Sequence, residues 1–207
     1  MPLKRRPSMC SVHLDGRFAF VLSLAVVGQL GLRDGDDITP ERIEQLKSGQ
    51  LRQKAMDDAL RILSGRSQSQ AQLRTKLARK QHPADVIQSI IDRLKELGYI
   101  NDQQFAENRA LAAAKSKKLG RRRAAQDLLK AGVDQSTARR ALENVYESHD
   151  SAQVARQLVE KHLPRLARFD DLTTRRRLMG VLMRKGYDYE TSRSAIAEVL
   201  GRVDDGA

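Results

Sequence analysis

The chain has 207 residues, 38 Lys and Arg against 26 Asp and Glu, and a formal charge of +12. Hydrophobic residues make up 40%, enough for a modest core and too many for a disordered chain, while 4% aromatics and the absence of Trp argue against an all-β sandwich. One cysteine, Cys10, and four scattered histidines, His13, His82, His149 and His162, exclude a disulfide scaffold and a zinc module; the charge points to an anionic partner.

The chain opens Met-Pro-Leu-Lys-Arg-Arg, and Phe18 to Leu32 is mostly apolar. Asp15 and Arg17 separate the basic start from the apolar run, Gln29 and two glycines interrupt its end, and it is too short to span a bilayer, so a cytosolic fold element is expected rather than a secretory signal. Val12 and Leu14 alternate with polar neighbours, Asp15-Gly16 follows, and Phe18, Phe20 and Leu22 alternate in turn. This predicts a hairpin on a type I′ turn, since Asp-Gly tolerates the positive φ that turn needs. Ser23 is placed to cap a short helix through Leu30, with Gly31 as its stop.

Beyond the polar turn Asp34-Gly35-Asp36-Asp37, Thr39-Pro40 supplies a cap and a proline at the first helical position. That helix carries Ile43 and Leu46, and Gly49 is expected to break or kink it before a second helix with Leu51, Ala55, Leu60 and Leu63. Further starts are marked by the capping-box form Ser69-Gln70-Ala71-Gln72 and by Pro83, Asn101, Asp134 and Asp188, and stops by Gly98, Gly120, Gly132 and Gly186. His149-Asp150 and Asp170-Asp171 also fall at helix starts, where carboxylates cap amides.

Leu77, Leu128 and Leu182, 51 and 54 residues apart, begin equivalent stretches. On that register Ile90 matches Ala141 and Ala195, Ile91 matches Leu142 and Ile196, and Leu94 matches Val145 and Val199, all apolar. The turn between the two helices reads Lys-Gln-His-Pro, then Ala-Gly-Val-Asp, then Lys-Gly-Tyr-Asp. The expected fold is therefore all-α: three tandem three-helix repeats in an elongated array, preceded by a small amino-terminal β-hairpin and helix extension. The corresponding segments are 1–50 for the extension and 51–100, 101–147 and 148–203 for the repeats.

The charge follows the repeats. The net charge is +1 over residues 1–50, +5 over 51–100, +3 over 101–150 and +3 over 151–207. In each repeat the cations gather at the middle helix: Arg74, Lys76, Arg79 and Lys80; then Lys115, Lys117, Lys118, Arg121, Arg122, Arg123 and Lys130; then Arg175, Arg176, Arg177, Arg184 and Lys185. Asp127 is the only acid in those stretches. A plain solvated face commonly intersperses Glu with Lys, so this pattern favours a nucleic acid or nucleoprotein partner. The aromatics Phe105, Phe169, Tyr99, Tyr146, Tyr187 and Tyr189 lie beside helix ends and read as packing rather than as a base-stacking platform. The sequence contains no phosphate loop, nucleophile elbow or H-E-x-x-H motif, and Cys10 beside Lys4, Arg5 and Arg6 lacks a base, so no catalytic residue, metal or cofactor is expected.

The run Asp58-Ala59-Leu60-Arg61-Ile62-Leu63 with Arg66, then Ser69-x-x-Gln72-Leu73-x-x-Lys76-Leu77, then Leu94-x-x-Leu97-Gly98-Tyr99-Ile100-Asn101-Asp102-x-x-Phe105-Ala106 resembles the RecX family of recombinase regulators. The resemblance continues through Lys115-Ser116-Lys117-Lys118-Leu119-Gly120 and Leu128-Leu129-Lys130-Ala131-Gly132-Val133, covers residues 52–146 well and is weaker over the last repeat. Gln72 stands where the family usually has Glu, and Ala131-Gly132 where it often has Lys-Gly. What the resemblance implies is a non-enzymatic, cytoplasmic modulator of RecA, acting as a monomer in DNA repair, recombination and the SOS response. Such proteins lie in the groove of the RecA filament on single-stranded DNA and suppress ATP hydrolysis, strand exchange and coprotease activity. On this reading the basic helices meet the filament and the DNA phosphates directly. The main alternative is a helix-turn-helix transcriptional regulator, which is also built from a helix, a turn and a basic helix. Membrane attachment through Phe18 to Leu32 with Lys4, Arg5 and Arg6 is a weaker one.

Overall fold

A computed structural model describes the backbone of residues 2–3 and 6–204 and the side chains of residues 8–201. The chain forms two compact units: one reaches to Ile100 without Ser69–Ala71, and the other takes in Ser69–Ala71 and the chain from Asn101 onward.

In the first unit, β2 (Arg6–Leu14) and β3 (Arg17–Ser23) pair antiparallel across Asp15-Gly16, whose φ values of 50° and 76° are those of a type I′ turn. A two-residue strand, β1 (Pro2–Leu3), pairs with the other side of β2 and extends the expected hairpin to three strands in the order β1-β2-β3. The register slips between Val12 and His13, which leaves Ala19 unopposed. This bulge breaks the alternation predicted for Phe18, Phe20 and Leu22: Leu22 is buried, whereas Phe18 is 63% exposed and meets His13 edge-on.

The Ser23 hydroxyl accepts from the Val26 amide and starts α1 (Leu24–Gln29), which stops before Gly31. The Phe18 to Leu32 segment is thus divided between a strand and a short helix, and its Leu22 and Val26 join Cys10 and Leu46 in a small core. Thr39 caps α2 (Pro40–Gly65), accepting from the Arg42 amide. Contrary to the predicted break, α2 runs through Gly49 and across position 50. One glycine costs only about 1 kcal/mol in a helix, and α2 is packed on both sides of it, Leu46 in the extension core and Ala55 and Ala59 in the next.

That next core is the first repeat, where the end of α2 meets α3 (Gln70–Arg79) and α4 (Ala84–Glu96) around Leu73, Leu77, Ile87, Ile91 and Leu94. Between α3 and α4 the chain turns at Gln81, an exposed residue with φ 64°. His82 follows, nearly buried, and its Nε2 lies 2.9 Å from the buried Asp58 carboxylate of α2. Lys80 Nζ reaches the same carboxylate at 3.0 Å and Arg61 at 3.4 Å.

The second unit holds two more repeats: α5 (Asp102–Lys115), α6 (Arg121–Lys130) and α7 (Gln135–Tyr146), then α8 (Ser151–His162), a 3-10 turn (Leu163–Leu166), α9 (Asp171–Lys185) and α10 (Tyr189–Asp204). Asn101, Asp134, Asp150, Asp170 and Asp188 accept from amides at the predicted helix starts. The aligned apolar positions are core positions: Leu128, Ala141 and Leu142 in the second repeat, with Val145 partly buried, and Leu182, Ala195, Ile196 and Val199 in the third. Among the described residues no helix is long and apolar enough to cross a membrane.

Burial alone would raise the Asp58 carboxyl, but hydrogen bonds from His82 and Lys80 outweigh it and hold the group below its ordinary 3.8. The pairing therefore contributes stability above the unfolded carboxylate range, and that contribution is lost as the pH falls through the lowered folded value. Asp58→Ala is expected to reduce the unfolding free energy at neutral pH by about 2–3 kcal/mol in urea titrations. The gap to the wild type should narrow as the pH drops below about 4; a gap independent of pH would contradict this role.

Candidate functional site

The predicted cations fall into two groups. In the first unit, Arg74, Lys76 and Arg79 lie on α3, and Lys80 lies just past its end, engaged by Asp58. Arg74 donates to Gln88 Oε1 on α4. In the second unit, Arg121, Arg122, Arg123 and Lys130 lie on α6, and Arg175, Arg176, Arg177, Arg184 and Lys185 lie on α9. Lys115, Lys117 and Lys118 depart from the prediction: Lys115 is the last residue of α5, and the other two lie in the linker to α6, where Lys118 has φ 51°. They precede the middle helix because that helix begins only after Gly120.

Gly120 is itself a correction, since it caps the start of α6 with φ −71° and ψ 160° instead of ending a helix. Its amide donates to the Lys185 carbonyl at 2.9 Å and the Arg122 amide donates to the Gly186 carbonyl at 3.2 Å. A Cβ on Gly120 would collide with the Gly186 carbonyl, and a Cβ on Gly186 would collide with the backbone of Arg123. Gly186 also has φ 89°, a left-handed conformation in which glycine carries no Cβ penalty. In the same unit Gly132, with φ 77°, leaves no room for a Cβ against that of Ala71.

The linker that carries Lys117 and Lys118 is held by long-range bonds. Lys185 Nζ donates to the Lys117 carbonyl (3.0 Å), the Tyr187 hydroxyl to the Lys118 carbonyl (3.3 Å) and the Tyr146 hydroxyl to the Leu119 carbonyl (2.8 Å). Burial pushes the phenols of Tyr146 and Tyr187 up to about 12, so both keep the proton they donate. Lys118 Nζ reaches Gln157 Oε1 at 3.0 Å.

The α6 start and the α9 end, both rich in cations, are thereby brought together. Carboxylates from outside the basic stretches partly answer them: Arg121 lies 3.7 Å from Glu143 and Arg175 lies 2.7 Å from Asp171, while Arg123 pairs with Asp127 at 3.5 Å. Such exposed pairs contribute little. Among the described residues, Lys117, Arg176, Arg177, Arg184 and Lys185 form no ion pair with a carboxylate.

The sequence pattern missed three contributors. Arg165 and His162 come from the 3-10 turn and the end of α8, and Arg168 joins Arg177 over the Phe169 ring, at 4.9 and 3.9 Å from its centroid. Their signal is the basic spacing of Lys161, Arg165 and Arg168, which lies outside the middle helices. Cys10 is buried in the extension core; the side chains of Lys4, Arg5 and Arg6 lie outside the described residues. Among the described residues no three His, Cys, Asp or Glu side chains are grouped to hold a metal ion.

Comparison with known proteins matches three family models in chain order. Residues 55–94 match the first three-helix domain of RecX, 101–142 the second and 149–196 the third. The regulatory protein RecX of Mycolicibacterium smegmatis is 35% identical over 157 residues, covering 72% of this chain and 80% of the relative. That of Caldanaerobacter subterraneus subsp. tengcongensis is 30% identical over 159 residues, covering 76% and 80%. A crystal structure of regulatory protein RecX shares the fold with a TM-score of 0.75 at 20% identity, over 97% of this chain and 96% of the other. A structure of RecX from Lactobacillus salivarius has a TM-score of 0.64 at 24% identity, over 72% and 96%.

The contact between Gly120 and Gly186 makes side chains there costly. Gly186→Ala is expected to destabilise the protein by at least about 2 kcal/mol in urea titrations, combining left-handed strain with the collision at Arg123. Gly31→Ala, with a similar φ of 63° but nothing within 4 Å of the added carbon, should cost only about 1 kcal/mol. Equal losses would show that the close approach contributes nothing.

Proposed function

Because the chain belongs to the RecX family, we propose that it regulates RecA by binding the RecA filament on single-stranded DNA, without a catalytic step of its own. The observation that carries this reading is the row of cations on α6 and α9, largely without carboxylate partners and fixed side by side by the glycine junction. A surface with so little internal compensation suits a long, regular polyanion. Laid in the groove of a nucleoprotein filament, the basic helices bridge neighbouring RecA protomers and meet DNA phosphates. Occupation of the groove blocks entry of duplex DNA and restrains the protomer movements coupled to ATP turnover. ATP hydrolysis, strand exchange and coprotease activity fall together, and with them recombination, repair and the SOS response. The protein acts as a monomer in the cytoplasm.

The geometry of α6 weighs against a helix-turn-helix transcriptional regulator. Such a reader presents the N-terminal part of its recognition helix to base edges, whereas the start of α6 is closed against the last carbonyls of α9.

Co-sedimentation with RecA on single-stranded DNA, run beside the RecA ATPase rate, tests the proposal. Joint reversal of Arg121, Arg122 and Arg123 to Glu should weaken filament binding and inhibition in parallel, by at least about tenfold, with the helical circular-dichroism signal of the wild type retained. Inhibition that survives reversal of the α3, α6 and α9 clusters together would refute the charge-based mechanism. A selective footprint on one duplex sequence would favour the transcriptional reading instead.

A further inference from the structure

Two open grooves adjoin in the second unit, the first between the second and third repeats and the second on the third repeat. One, of about 510 Å³, is lined by Lys117, Arg123, Arg184 and Lys185 with a single carboxylate, Asp127. The other, of about 480 Å³, is lined by Arg165, Arg176, Arg177 and Arg184 and has no carboxylate. They share His162, Val181 and Arg184. Arg184 folds back over Gly180, where its guanidinium would stand 3.2 Å from an added Cβ, so this one fork faces both grooves. Seven cations thus surround one acid, and that acid is paired with Arg123. Arg165, Arg176 and Arg184 form no ion pair with a carboxylate among the described residues. Folding gains nothing from such crowding of like charge, so a ligand is the natural compensator.

We propose that the two grooves form one seat for successive phosphates of a single nucleic-acid strand, read through its backbone, with His162 as a shared wall that takes up a proton when the strand binds. Arginine forks match phosphate oxygens two at a time. Two grooves that share one arginine suit a chain of anions better than an isolated one. A flexible single strand can pass from one groove to the other, whereas duplex DNA is stiff over roughly 150 base pairs. No Phe or Tyr lines either groove, and Phe169, next along the chain, is already engaged by Arg168 and Arg177, so bases find no free stacking platform and recognition is independent of sequence.

The ring of His162 is held below its ordinary 6.5, first by burial and then by the positive fields of Arg165, Lys161 and Lys185. The other charged groups of the two grooves are Lys117, Arg123, Asp127, Arg176, Arg177 and Arg184, and Arg176 also acts on Asp170 at the start of α9. His162 is the one histidine of the two grooves, and histidine is the side chain whose ordinary charge change falls closest to neutral pH. A phosphate seated among these cations offsets their field and favours the imidazolium.

This inference rests on the proposed function only in taking nucleic acid as the polyanion; strand binding is measured without RecA, and the RecA ATPase rate is read beside it only to separate the two. Fluorescence anisotropy with labelled oligothymidylate and oligoadenylate of about twenty nucleotides reads the site, at low salt, where phosphate contacts are strongest. Arg176→Glu with Arg184→Glu should weaken both by at least about tenfold, while the control Arg140→Glu with Arg193→Glu, exposed residues of α7 and α10 that line neither groove, changes them less than about twofold. Lowering the pH from about 7.5 to about 6 should tighten binding by the wild type but not by His162→Asn. On the wild type itself, the His162 ring protons followed by NMR should titrate at higher pH once the strand is added. The seat is overturned if the control loses as much as the groove variant, if polyglutamate of equal charge competes as well as the strand, or if the His162 titration does not move. Loss of strand binding with RecA inhibition intact would uphold the seat and separate it from the regulatory surface. A wild type that binds strands but never slows RecA would instead refute the proposed function.

Discussion

The second unit depends on two helix ends that satisfy each other. The first amides of α6 and the last carbonyls of α9 have no partners within their own helices, and the Gly120 and Arg122 amides close directly on the Lys185 and Gly186 carbonyls. The positive end of one helix dipole thus meets the negative end of another. Only bare backbone can approach so closely, which is why glycine occupies both sides. The same contact forces Arg121, Arg122 and Arg123 beside Arg184 and Lys185, an arrangement their charges oppose. Backbone hydrogen bonds, together with the buried Tyr146 and Tyr187 that hold the linker, outweigh that repulsion.

Local chemistry was legible wherever one or two residues decide the backbone. Asp15-Gly16 determines the hairpin turn, Ser23, Thr39, Asn101, Asp134 and Asp170 start their helices, and Gly98, Gly132 and Gly186 end theirs. The apolar register was legible because each repeat buries the same stripe. Misreadings came where a distant partner decides. Gly49 looks like a break until packing on both sides of it is known, and Gly120 looks like a stop until the α9 turn is seen against it. Nothing local to Asp58 announces that His82, 24 residues on, will bury it.

The candidate surface was half legible for the same reason. Cations on α6 and α9 could be counted along the sequence, and their shortage of acids was visible there. Which helix carries Lys115, Lys117 and Lys118 depends on where α5 ends, and the partners Glu143 and Asp171 come from outside the basic stretches. His162 and Arg165 belong to the irregular passage between α8 and α9, where a helical repeat pattern has nothing to say.

Gln81, Gly132 and Gly186 occupy the same position of the three repeat turns and share a left-handed backbone. The two glycines have a neighbouring helix start pressed against them; Gln81 is exposed and keeps its side chain at a strain of about 1 kcal/mol. The three modules are therefore not interchangeable parts. A gene rearrangement that moved the first module into the place of the second or third would bring glutamine where only a hydrogen atom fits. The order of the modules is thus written into the choice of one turn residue, and duplication can lengthen such a chain only by copying a module that already carries glycine.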